Sequence, residues 1–284
     1  MRLVIIGDPD RFEKDKCLLE KAKEIYKTAF YVPITEIMIE TGKGSKLLHR
    51  GKDISEFDSV LPIPTSEKKD LFAAVIEVLA NKKIYLPYTF ETLSIMKWRA
   101  LYLSILRLGG FNVPDMYFML SPNMVDVLKD KINYPVDVFM GGDSITVDNE
   151  KELKMILKMK KGPGIYILER IAGKRIECLV AGNEFVASVE KIGKKMTKVV
   201  AGKEMQKIAI EVIKELGSVY GSVTFKGDKI VAISLSPNFG EIGKAAAKDI
   251  AGDLLEHLAK NIPPKQESVF TRILNAMKKK EEIK

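Results

Sequence analysis

Cysteine and histidine are almost missing from this chain of 284 residues, which has two of each. Cys17 and Cys178 lie far apart with no C-x-x-C spacing, so neither a disulfide framework nor a zinc site is expected, and a reducing cytoplasm is the expected location. His49 falls in a hairpin and His257 on the last core helix, which argues against a histidine-based triad or metal site. No apolar run reaches the roughly 18–20 residues of a membrane helix. The chain opens on a short strand pattern, not a signal peptide, so no membrane association is expected. The turn after that strand lacks G-x-G-x-x-G, so no dinucleotide site is predicted there. Glutamine occurs only at Gln206 and Gln266, while Lys, Glu and Ile abound, a composition that leans towards a thermophile. The single tryptophan, Trp98, is expected in the core.

What is present is a globular chain with 46% hydrophobic and 30% charged residues and a net charge of +8. Much of the excess sits in 151–161, 191–203 and 278–284. Nearby acids such as Glu281 and Glu282 make these solvated helix faces, and no motif supports nucleic-acid binding. A basic site for a small anionic ligand such as a nucleotide stays open.

Pattern reading gives an α/β (α+β) chain in four parts. Residues 1–88 alternate strands (2–6, 30–33, 59–62, 83–86) with helices (14–28, 69–80), as in a small parallel sheet. A hairpin is read around His49-Arg50-Gly51-Lys52. Residues 89–164 form a compact α+β unit that begins with one helix over 89–108. Residues 165–260 hold antiparallel strands (165–170, 175–180, 184–191), a helix over 205–216, and a hairpin turning on Lys226-Gly227-Asp228. Residues 261–284 form a basic amphipathic helix capped by Ser268, whose short apolar face would dock on the body, a second copy or a partner subunit.

The stretch with most bearing on chemistry is Val231-Ala232-Ile233-Ser234-Leu235-Ser236-Pro237-Asn238-Phe239-Gly240. It reads as a buried strand ended by turn formers, with a helix following over 245–258. Metal and phosphate sites are often built at such a strand end. This one carries hydroxyls at Ser234 and Ser236 and no carboxylate.

Four segments in order resemble the ATP-grasp superfamily, and within it the RimK-type amino-acid ligases. They are HRGKDISEFDSVLP, SIMKWRALYLSILRLGGFNVPDMYFM, YILERIAGKRIECLVAGNEFVASVEK and IVAISLSPNFGEIGKAAAKDIAGDLLEHL. The likeness covers about residues 2–260. It implies an ATP-grasp fold with an N-terminal pre-ATP-grasp domain, ATP as the nucleotide, and amide-bond formation through an acyl phosphate.

Residue by residue, the resemblance sets Lys97 at the first nucleotide-contacting lysine and Glu169, Arg170 and Ile171 at the adenine hinge. Elsewhere the family's groups are replaced. The second nucleotide lysine falls on Phe139, the phosphate loop shortens to Gly141-Gly142-Asp143, and the ribose acid and following arginine fall on Arg175 and Glu177. The three magnesium ligands fall on Val223, Ala232 and Ser234. Magnesium takes near-octahedral oxygen coordination, which these residues do not offer. The resemblance therefore implies a non-catalytic or weakly nucleotide-binding RimK-like protein with no metal ligands. The alternative is an active ATP-dependent carboxylate–amine ligase of the glutamate type, with magnesium bound through displaced acids such as Asp143, Asp148, Glu190 or Glu241.

Overall fold

The computed structural model describes residues 1–41, 44–65, 67–82, 84–128, 130–140, 143–159, 164–182, 184–193 and 195–260. Gly141, Gly142, Asn183 and the 261–284 helix expected from the sequence lie outside these, as does the side chain of Asp143.

The first part of the chain runs β1 (Arg2–Gly7), α1 (Phe12–Ile25), β2 (Thr28–Pro33), β3 (Met38–Glu40), β4 (Lys46–His49), β5 (Lys52–Asp53), β6 (Ser59–Pro62), α2 (Lys69–Ala80) and α3 (Phe90–Lys97). Next come α4 (Arg99–Leu108), β7 (Met116–Met119), β8 (Val136–Met140), β9 (Asp143–Val147), α5 (Glu150–Lys158) and β10 (Ile165–Glu169). The remainder is β11 (Arg175–Ala181), β12 (Glu184–Ile192), β13 (Lys195–Lys198), α6 (Lys203–Glu215), β14 (Tyr220–Lys226), β15 (Lys229–Ser234), α7 (Phe239–Ala246) and α8 (Ile250–Lys260). Two compact units result. Unit 1 comprises 1–97, 176–224 and 233 onward; unit 2 comprises 98–175 and 225–232.

In unit 1 the expected parallel sheet is present, in the order β2-β1-β6. β1 is the central strand and reads Leu3-Val4-Ile5-Ile6, four fully buried residues in succession. Such an unbroken apolar run, not an alternating one, is what a strand covered on both faces requires. The β4–β5 hairpin turns on Arg50 (φ 49°) and Gly51 (φ 75°), the left-handed pair that a tight hairpin needs. The larger antiparallel sheet has the order β13-β12-β11-β14-β15, and its last hairpin tip is grouped with unit 2. Tyr88 and Tyr220, both fully buried, donate their hydroxyls to the Pro62 carbonyl at 2.8 Å each, so neither polar tip is left unsatisfied.

Unit 2 holds a four-stranded antiparallel sheet, β7-β10-β8-β9. One face, with Val136, Val138, Ile165 and Ile167, packs against Leu153 and Leu157 of α5. α5 begins on a reciprocal cap: Asn149 Oδ1 accepts from Glu152 N (3.0 Å), and Glu152 Oε2 accepts from Asp148 N (3.0 Å).

Several expectations need correction. The helix over 89–108 is two helices, because Trp98 is extended (φ −118°, ψ 115°) and its ring lies edge-on to Phe118 at 6.0 Å. Trp98 is 39% exposed, not core. The last helix is likewise broken, at Ala247 in the left-handed region (φ 53°). β10 belongs to the sheet of unit 2, not with β11 and β12, because Ile165 and Ile167 complete the apolar face shared with β8.

Candidate functional site

β1 is followed by α1 and β2 on one side of the sheet and has β6 on the other, so the carboxyl ends of β1 and β6 flank a topological switch point. Ligands of open parallel sheets bind in that crevice. A pocket of about 500 Å³ opens there, within unit 1. Its walls include Asp8 and Arg11 from the turn after β1, Thr65 and Lys69 from the segment after β6, and Ser234 and Ser236 from the end of β15.

Asp8 is 3% exposed. Burial opposes its charge, but Lys68 Nζ (2.6 Å), the Asp10 amide (3.1 Å) and Thr65 Oγ1 (3.0 Å) all donate to it. These donors outweigh burial and hold the carboxyl below its ordinary value of 3.8. Its neighbour Asp15, 1% exposed, goes the other way. Burial raises its pKa despite Arg11 Nη2 at 3.2 Å. Arg11 also donates from Nη1 to the Ser236 carbonyl (3.2 Å), while its buried Nε has no hydrogen-bond partner among the described residues. Lys69 Nζ donates to the Met96 carbonyl (2.8 Å), and its pKa is lowered by burial and then by Lys97. Gly7 allows this turn, since a Cβ there would fall 2.0 Å from the Tyr31 hydroxyl, which itself donates to the Asp8 carbonyl (2.8 Å). The pocket thus sets an arginine and a half-buried lysine among three carboxylates, Asp8, Asp10 and Glu67, of which Asp8 is committed to Lys68.

A depressed folded-state pKa gives stability that is complete above 3.8 and lost as pH falls through the folded value. Asp8→Asn is therefore expected to cost about 1.5–3 kcal/mol at neutral pH, the range for a charged hydrogen bond. The gap from the parent should close as the pH is taken below 3.8, followed by urea unfolding. A gap that stays constant with pH would rule out the charge of Asp8 as its source.

The residues singled out from the sequence fall in different units. Lys97 ends α3 in unit 1 and pairs with Asp70 at 2.7 Å, in an exposed ion pair worth at most about 1 kcal/mol. Glu169, Arg170 and Ile171 lie in unit 2. Glu169 holds Lys229 at 2.6 and 2.7 Å and accepts from the Asp115 amide at 3.2 Å. Arg170 is exposed, and Ile171 lies near the Gly227 turn. A Cβ on Gly173 (φ 114°) would come within 3.1 Å of Gly227 N, so the segment after β10 and the β14–β15 turn approach closely.

Opposite the apolar face of the unit 2 sheet runs an aromatic row. Tyr166 is in register with Phe118 on one side and Phe139 on the other, and the rings of Phe118 and Tyr166 are 4.7 Å apart. The Arg99 guanidinium stacks 4.5 Å over Phe139 and also donates to the Val231 carbonyl at 3.0 Å. A guanidinium from α4 thus stands beside the position where the resemblance expects a lysine from β8.

In unit 1, Glu177 is 4% exposed. It accepts from Ser222 Oγ at 2.6 Å and forms an ion pair with Lys191. Neighbouring strand residues point to opposite faces, so Val223 points away from Glu177. It is fully buried on the side where a Cβ at Gly221 would meet Ile213 of α6. Ala232 and Ser234 are half-buried on β15. Glu190 lies opposite Ile176, Asp148 precedes α5, and Glu241 sits in the first turn of α7. Among the described residues no three or more His, Cys, Asp or Glu side chains converge as a metal site. A buried valine, an alanine and a serine do not fit magnesium.

Sequence reading missed Asp8, Arg11 and Arg99. The signal for the first two was an acid and an arginine in the turn ending the first strand of a parallel sheet. Arg99 had none, because its stacking depends on which strand α4 lies beside.

No protein-family model matches the chain. It is 22% identical over 292 residues to a probable alpha-L-glutamate ligase of Picosynechococcus, covering 93% of this chain and 97% of that one. It is 24% identical over 296 residues to one of Pseudomonas entomophila, covering 94% and 98%. Among solved structures, a RimK domain ATP-grasp protein from Sphaerobacter thermophilus superposes with a TM-score of 0.70 at 17% identity, over 90% of this chain and 99% of that one. The ATP-grasp ligase PsnB, complexed with minimal precursor, Mg and ADP, gives 0.73 at 13% identity, over 92% and 98%. With these superpositions covering nine-tenths or more of the chain, it has the ATP-grasp fold and is similar over nearly its full length to probable alpha-L-glutamate ligases and a RimK domain protein.

Proposed function

We propose that this protein is a RimK-like ATP-grasp protein that has given up ligase turnover and retains weak, metal-independent binding of a nucleotide or another small anion. The observation that carries the reading is the set of side chains at the positions where the resemblance expects phosphate and metal contacts. Val223 is fully buried, Ala232 has no donor atom, Ser234 offers only a hydroxyl, and Phe139 lies under Arg99. Phosphoryl transfer is mostly positioning and charge neutralisation, and loss of one such electrostatic stabiliser costs about 3–4 kcal/mol. Losing several together leaves little catalysis, even though such losses do not add. The aromatic row with Arg99 keeps what a planar anionic ligand needs: ring faces and one cation. Within unit 1, and taken separately, Arg11 and Lys69 offer donors to an anionic group.

Titration calorimetry with ATP, with magnesium or with EDTA, tests the reading. The expected result is weak binding of similar strength in both, and no ADP released when glutamate and a panel of carboxylate acceptors are added. Tight binding abolished by EDTA, or ADP formed in step with an acceptor, would establish an active ligase instead.

A further inference from the structure

A second feature of unit 1, remote in chemistry from nucleotide binding, is the β2 side of its parallel sheet. Among the described residues β2 is an edge strand. All six of its residues, Thr28 to Pro33, line a groove of about 1400 Å³ bounded by α1 and the β4–β5 hairpin. That exceeds the roughly 300–1,000 Å³ of small-molecule pockets. The strand spans about 20 Å at roughly 3.3 Å per residue, a length that suits an extended peptide.

Edge strands are normally blunted by charges, bulges or a covering element, because their unpaired amides and carbonyls template further pairing. β2 reads Thr-Ala-Phe-Tyr-Val-Pro, with no charge, and its terminal proline is the only protection within the strand itself. Phe30 is 52% exposed and meets Phe57 edge-on at 6.0 Å, and Arg2 lies 5.4 Å over the Phe57 ring. Of the three carboxylates lining the groove, Glu36 is committed to His49 (3.0 Å) and Arg50 (3.5 Å) and Asp53 to the Ser55 amide (2.9 Å); with Glu56 they stand against five cations, Arg2, Lys23, Lys46, Arg50 and Lys52. Of these, Lys23 and Lys52 have no ion-pair partner among the described residues.

We propose that this groove binds an extended acidic segment of a partner protein, which adds a strand to β2. Its backbone would pair with this edge, an apolar or aromatic side chain would rest on Phe30 and Phe57, and its carboxylates would meet Lys23 and Lys52. A second copy of this chain is a poorer occupant, because two copies would bring the same lysines together in a protein of net charge +8.

The test uses a short fluorescein-labelled peptide alternating glutamate with valine and phenylalanine, and a counterpart with lysine for glutamate. The acidic peptide is expected to bind saturably, weaken as salt is raised, and slow hydrogen exchange at the β2 amides, while the lysine peptide does not bind. Phe30→Lys should weaken binding about tenfold or more, as loss of an interface anchor does. Lys23→Glu combined with Lys52→Glu should weaken it and flatten the salt dependence. Should Phe30→Lys not fold, the double lysine variant carries the test. No saturable binding, or binding unaffected by these variants, would overturn the proposal. So would a parent protein that light scattering shows to be a dimer and that Phe30→Lys turns into a monomer, because the groove would then be filled by a second copy.

Discussion

Replacing Ala232 by glutamate and Ser234 by asparagine is expected to create magnesium-dependent ATP binding, which the proposed function does not expect of the parent. Both residues lie on β15 two positions apart, so their side chains point to the same face of the strand. Both are half-buried, so neither is sealed in the core. A carboxylate and an amide oxygen there would supply two of the ligands that a hard, octahedral cation requires. The expected gain is about tenfold or more in ATP affinity with magnesium over EDTA, equal to about 1.4 kcal/mol. Turnover should stay low, because Phe139 still stands where the resemblance expects a lysine, and Val223 faces α6. Calorimetry on the double variant and the parent decides it. If the variant folds and shows no metal-dependent gain, the β15 positions are not where the deficit lies.

A large loss of stability is expected from Glu177→Ala. The carboxylate is almost wholly buried, and the side chain of its partner Lys191 is 24% exposed. Removing it strands a partly buried ammonium and leaves the Ser222 hydroxyl without its acceptor. Breaking one side of a buried pair costs about 3–5 kcal/mol. Since Lys191 keeps some contact with water, the lower end, near 3 kcal/mol, is the expectation. For a chain of this size that lowers the melting temperature by roughly 6–12 °C, at about 2–4 °C per kcal/mol. Glu177→Gln should fall between, because an amide oxygen can still accept from Ser222 but does not balance Lys191. Replacing both Glu177 and Lys191 by methionine should recover most of the loss, since a buried pair often contributes little over apolar packing. A thermal shift under about 2 °C for Glu177→Ala would mean that water, not Glu177, satisfies Lys191.

The position of Glu177 also shows how far side-chain chemistry can be read from pattern. The resemblance sets an arginine there, and the chain has an acid. Sequence shows the inversion, but the compensating Lys191 sits one strand over and fourteen positions on. The partnership depends on the β11–β12 register, which places Val189 opposite Glu177 and so Lys191 diagonally across. Asp8 and Lys68 are a similar case, sixty positions apart and joined at 2.6 Å. Trp98 is the opposite lesson. Helical spacing runs unbroken from residue 89 to residue 108, and nothing local forbids a helix at Trp98. It is extended in the fold, with its ring against Phe118, and such packing overrides propensity.

The sequence by itself determined what local chemistry can determine. It set the buried central strand through an unbroken apolar run, the hairpin at Arg50-Gly51 through left-handed turn residues, the start of α5 through Asn149 and Glu152, and the absence of a carboxylate at Ala232 and Ser234. These follow from backbone sterics, hydrogen-bond satisfaction and side-chain identity over a few residues. Tertiary structure alone decided which sheet β10 joins, that Arg99 stacks on Phe139, that Asp8 and Arg11 line a pocket with the end of β15, and that β2 is an edge strand among the described residues. Those outcomes depend on burial and charge pairing between segments distant in sequence, whose strength is set by where the folded chain excludes water.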